Sequence, residues 1–242
     1  TLYIALGGTG MEMALRLRRR ILNSFWGKKD KPVRLSSLSE FPVAQFLHID
    51  LDQGANRESD KSKRTDLLAE AVAFSDEERV VESFDMARYI RSADNLAMYP
   101  HIQNWFPLTP SEINELKIDP SKGAGQIRAI SRLYFFDKVK SIKARIRQKL
   151  EHLRNSTSNK AALDHLGLDI YPKLRIVVLA SSAGGTGAGA FLDTGYLAQF
   201  VGKQIGLPLK VDLVLMLASG YAKYGQRVEA NTYAALMELE TC

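Results

Sequence analysis

The segment of this 242-residue chain best suited to holding an anion is Ser181-Ser182-Ala183-Gly184-Gly185-Thr186-Gly187-Ala188-Gly189. It follows an apolar run, Leu174-Arg175-Ile176-Val177-Val178-Leu179-Ala180, that predicts a buried strand, and it precedes a helical apolar pattern from Ala190 through Tyr196 to Val201. A strand that turns through glycines into a helix aims free backbone N–H groups and the positive end of the helix dipole at one point. Glycine lets the backbone come close to a phosphate, and Thr186 adds a hydroxyl. The beginning of the chain repeats the device: Leu2-Tyr3-Ile4-Ala5-Leu6, then Gly7-Gly8-Thr9-Gly10, then helical spacing over 11–22. Two such units suit two parts of one phosphorylated ligand.

Common glycine-loop signatures fit poorly. A P-loop requires a lysine and a Ser or Thr directly after its last glycine, and no glycine here has them. A dinucleotide fingerprint fails at Met13 in the first loop. It matches at Gly185, Gly187 and Ala190 in the second, but the acid expected some 20 residues on is met only by Asp212, inside the next apolar run.

The elements that must position these loops read as strands 2–6, 44–50, 79–84, 174–180 and 210–217. Between them lie helices 11–24, 64–73, 126–155 (the last expected to be interrupted), 188–204 and 227–240. Residues 86–122, with Pro100, Pro107, Pro110 and Pro120, read as an irregular insertion, and 155–160 as a loop. Strands alternating with helices predict an α/β fold: a doubly wound, mostly parallel sheet with helices on both faces. In such a sheet ligands gather at the carboxyl ends of the strands, where all the glycine loops fall.

The string Gly184-Gly185-Thr186-Gly187-Ala188-Gly189 resembles the glycine-rich signature of the tubulin/FtsZ superfamily, its bacterial tubulin-like members above all. Further marks stand in the family's order: Gly7-Gly8-Thr9-Gly10 with Glu12; Asp50 and Asp52 after the second strand; Gly123-Ala124-Gly125-Gln126; and Asn231 within Arg227-Val228-Glu229-Ala230-Asn231-Thr232. The resemblance implies a GTP/GDP-binding GTPase domain. Gly8, Thr9 and Gly10, with Ala183, Gly184, Gly185, Thr186 and Gly187, would hold phosphates. Gly123, Ala124, Gly125 and Gln126 would close on the γ-phosphate, and Asn231, with Glu12, would read the base. Tyr221 or Tyr224 would stack on base or ribose. Asp52 would approach Mg²⁺, which the nucleotide itself would mainly hold, and no protein metal site is expected. The chain departs from tubulin in having Gly8 and Glu12 where tubulin has glutamines. The whole of 1–242 is then one nucleotide-binding domain. The family's second domain and catalytic acidic loop are expected beyond Cys242, so no catalytic residue is named within the chain. Head-to-tail self-association of the full-length protein into filaments is implied.

Composition agrees with a globular domain: 45% hydrophobic and 25% charged residues, a single cysteine and a net charge of +6. No apolar run is long enough to span a membrane, and the lone cysteine suits a reducing cytoplasm. Basic residues concentrate in 16–20 and 138–154. In the latter, Val139, Ile142, Ile146, Leu150 and Leu153 predict an amphipathic helix with a solvated basic face, and no interleaved aromatics indicate nucleic acid. Arg128 and Arg132, one turn apart, could face phosphates or pair with acids. Two rival readings are a non-polymerising, nucleotide-dependent interaction module and a Rossmann-type dinucleotide enzyme.

Overall fold

The computed structural model describes residues 1–54, 69–157, 160–169, 173–221 and 226–242. Five parallel strands form the main sheet: β1 (Leu2–Leu6), β4 (Gln45–Ile49), β5 (Arg79–Val80), β6 (Leu174–Ser181) and β7 (Leu209–Met216), in the order β5-β4-β1-β6-β7. A separate antiparallel hairpin joins β2 (Phe25–Lys28) to β3 (Lys31–Arg34). The order reverses at β1, whose Leu2 pairs with Gln45 on one side and Ile176 on the other.

Alternation along the central strands builds two cores. Leu2, Ile4 and Leu6, with Leu47, Ile49, Ile176 and Val178, face α7 (Arg128–Ser156) and α9 (Thr186–Gln204). Ala5, Phe46, Val177 and Leu179 face α1 (Gly7–Asn23). Burial on both faces explains why these strands are apolar at almost every position.

Helix α7 is continuous over 29 residues, contrary to the expected interruption, because it contains no glycine or proline to break it. Its buried side includes Ile142, Ile146, Leu150 and Leu153, as the spacing predicts. The insertion 86–122 is not irregular. It folds into α3 (Ala87–Ile90), α4 (Ala93–Ala97), α5 (Pro100–Gln103) and α6 (Pro110–Leu116), the last held by a Thr109/Glu112 capping box. Pro100 and Pro110 start helices, where their missing N–H costs nothing. Strand β5 stops at Val80 rather than 84. Beyond it, the Glu82 N–H turns to the Tyr134 hydroxyl (3.1 Å) instead of a strand partner. Of the helix expected over 64–73, the described part is α2 (Ala69–Val72); the rest lies outside the described residues. The hairpin and α8 (Lys160–His165) were not anticipated. Helix α10 (Gln226–Glu240) completes the chain.

Candidate functional site

At the carboxyl edge of the sheet, β1 passes directly into α1 at Gly7, and β6 turns through 182–185 into α9 at Thr186. These strands are neighbours at the reversal of strand order, where a crevice must open. Neither helix start is capped by a side chain, and neither has an acid in its first turn. The first-turn N–H groups of both therefore point, without helical partners, toward one recess of about 180 Å³. Gly8, Thr9, Asp50, Asp52, Gly123 and residues 184–187 line it.

The glycines divide into two kinds. A side chain on Gly8 or Gly184 would meet nothing within 4 Å, so these two face open space. Gly10 and Gly187 are packing glycines: a Cβ would lie 2.4 Å from the Leu179 carbonyl oxygen and 2.7 Å from that of Ser181. Gly185 also packs, 2.6 Å from the Ala124 Cβ, so the second loop leans on the third. That third loop is tightly coiled, with positive φ at Gly123 (102°), Gly125 (56°) and Gln126 (59°); the last is an uncommon conformation for a residue with a side chain.

Asn231 ties the loops together. Its Nδ2 donates to the Gln126 carbonyl (2.9 Å) and the Ala183 carbonyl (3.1 Å), and Arg227 reaches the Gly125 carbonyl at 3.2 Å. The Thr186 hydroxyl donates to Asp50 Oδ1 at 2.8 Å, which also accepts the Leu51 N–H. Burial pushes the Asp50 carboxyl up to about 6, against the lowering effect of these donors. Beneath it lies His48, wholly buried, with Nε2 3.9 Å from Asp50. Burial and the nearby Arg79 charge hold His48 down at about 4, so it is neutral. Neither Asp50 nor His48 figured among the residues expected to contact ligand; Asp50 stood out as an acid directly after an apolar strand and as one of the family's marks, and nothing pointed to His48.

Asp52 accepts the Gly54 N–H at 2.8 Å, closing a turn, while its carboxylate borders the recess beside Gly123. Thr9 Oγ1 meets the Tyr221 hydroxyl at 2.5 Å, which brings that aromatic over the start of α1. Tyr224 lies outside the described residues. Glu12 is one turn further along α1 and does not line the recess. Arg128 and Arg132 pair with acids instead of facing it: Arg132 with Asp193 (3.0 Å), Arg128 with Glu238. They border a larger hollow of about 340 Å³, but with each arginine matched by a carboxylate it offers an anion no spare charge.

A doubly wound parallel sheet with two uncapped helix starts converging at its switch point defines the class, an α/β domain with a recess at that point. The chain belongs to the tubulin-like family, whose profile matches residues 2–241. Among curated proteins none matches it. Among the described residues no cluster of acids, histidines or cysteines could hold a metal by itself, and no helix is long and apolar enough to cross a membrane.

Proposed function

We propose that this chain is the nucleotide-binding domain of a GTP-hydrolysing tubulin-like protein that assembles head to tail. The observation that carries the reading is the convergence of the α1 and α9 starts over the open space at Gly8 and Gly184. In this reading the amides of Gly8, Thr9 and Gly10 hold one part of the phosphate chain, and those of Gly184, Gly185, Thr186 and Gly187 hold another. The 123–126 loop lies over the terminal phosphate. Asp52, half-buried at the border of the recess, would hold a water of a nucleotide-borne Mg²⁺, which would neutralise phosphate charge. Guanine would lie toward Tyr221 and α10. The Asn231 amide nitrogen is committed to the loops, so its Oδ1 is the atom left to accept from a base.

Phosphoryl transfer depends on placing the water, and among the described residues the recess borders hold only Asp50 and Asp52 as acids. Asp50 is engaged with Thr186. The resemblance to tubulin/FtsZ proteins assigns water activation to a second subunit in a filament. Calorimetry with GTP, GDP and GMP tests the phosphate cradle. Affinity should fall at least about a hundredfold from GTP to GMP, roughly 2.7 kcal/mol. Equal binding of GMP and GTP would refute it.

A further inference from the structure

Positive charge is unevenly placed. Residues 16–34 hold eight of the 33 lysines and arginines and one acid, Asp30, a surplus of seven in a chain whose net charge is +6. The fold gathers this segment on one corner, except that Arg18 is buried and pairs with Glu78 at 2.9 Å. Helix α1 runs about 25 Å from the recess to the opposite edge of the sheet, with Arg16 and Arg20 exposed on one side of it. The hairpin follows at once and is pinned there: Trp26 Nε1 donates to the Ile21 carbonyl (2.9 Å), and the Gly27 N–H donates to the Leu166 carbonyl (2.8 Å). Trp26 turns inward against Phe41, and strand alternation sends Phe25 and its partner Arg34 to the other face.

Arg16, Arg20, Lys28, Lys29, Lys31 and Arg34 are all exposed, and none forms an ion pair with a described residue. Some cations elsewhere are matched, Arg132, Lys138, Arg175 and Lys210 each meeting a carboxylate, and unmatched ones such as Lys117, Lys140 and Lys203 are far apart in sequence. Phe25, 70% exposed, shares its face of the hairpin with Arg34, while Lys28 and Lys31 stand at the tip on the face of Trp26. We propose that this corner docks on an anionic lipid surface, the cations on headgroups and the Phe25 ring at the acyl boundary. Charge alone would suit any polyanion. The outward phenyl ring favours lipid, because a nucleic-acid duplex offers it no apolar partner. Docking there leaves the glycine recess, at the far edge of the sheet, open.

Flotation with phosphatidylcholine vesicles, with and without phosphatidylserine, tests the proposal. The protein should bind only the anionic vesicles, and raised salt should release it. Neutralising Lys28, Lys29 and Lys31 together to Gln should lower partitioning about a hundredfold, at about fivefold per lysine. Neutralising Lys117, Lys140 and Lys203, three exposed lysines elsewhere, should change it little. Phe25→Ser should weaken binding while leaving its salt dependence unchanged. Unchanged melting temperatures for the variants would confirm that folding is intact. Equal loss from both lysine triples would overturn the proposal, as would binding to single-stranded oligonucleotide in place of vesicles.

Discussion

Single residues separate binding from packing at the recess. Gly184→Val fills open space above a backbone that needs no left-handed φ, so it should cut GTP affinity at least about tenfold, some 1.4 kcal/mol, without moving the melting temperature. Gly185→Ala instead strikes Ala124, and both stability and affinity should fall. Asn231→Asp removes the N–H donors that hold two carbonyls and sets a carboxylate against them. If the residue acts by positioning the loops, GTP, ITP and ATP should all weaken by a similar factor in a displacement assay; a loss confined to GTP would assign it to base reading instead. Asp50 gives a pH prediction. Its carboxyl titrates near 6 when folded and near 3.8 when unfolded, so the folded state holds a proton that the unfolded chain has released. Its cost to stability therefore grows from pH 4 to pH 6 and is complete above that, up to about 3 kcal/mol. His48 runs the other way: stability is lost as pH falls from 6.5 toward 4. Asp50→Asn keeps an oxygen for Thr186 and Leu51 and can turn an N–H toward His48. It should raise the melting temperature at pH 7.5, by an advantage that shrinks toward pH 4.5. Melts that coincide at every pH would count against the raised carboxyl.

At the scale of elements, two close packings, α1 on strand β6 and α9 on α7, depend on the absence of a side chain. A Cβ at Gly10 would sit 2.4 Å from the Leu179 carbonyl oxygen, and one at Gly189 would sit 2.3 Å from that of Arg128, where α9 crosses α7. Backbone cannot step aside as a rotamer can. Gly10→Ala and Gly189→Ala should each cost about 1–3 kcal/mol, several degrees in a thermal melt. Long elements were legible in the sequence because one period governs each: the apolar runs of β1, β4 and β6, and the three-and-four spacing of α7. The glycine loops were legible because strand, glycine and helix follow within a few residues. What stayed hidden depends on contacts distant in sequence. Lys28, Lys31 and Pro32 disguise a hairpin whose inward residues are only Trp26 and Val33. Prolines in 86–122 read equally as turns and as helix starts until capping partners such as Glu112 are placed. Thr186 reads as a phosphate donor until Asp50, 136 positions away, is set beside it.

For the whole molecule, hydrolysis should depend on neighbours. Phosphate released per molecule should rise with protein concentration, together with GTP-stimulated light scattering of the full-length protein. A fast rate independent of concentration would show a complete site within one subunit. The strand order has a further consequence for the birth of the protein. Central β1 takes β4 as its first partner, but its other edge waits for β6, whose Ile176 meets Leu2. On a ribosome adding about 5–20 residues per second, the strand Leu-Tyr-Ile-Ala-Leu is left with an unpaired apolar edge for roughly 10–30 seconds. Such an edge is open to pairing with another chain. Nascent molecules should therefore be held by chaperones through that interval, and yields of soluble protein should respond more to synthesis speed and temperature than to changes on the finished surface.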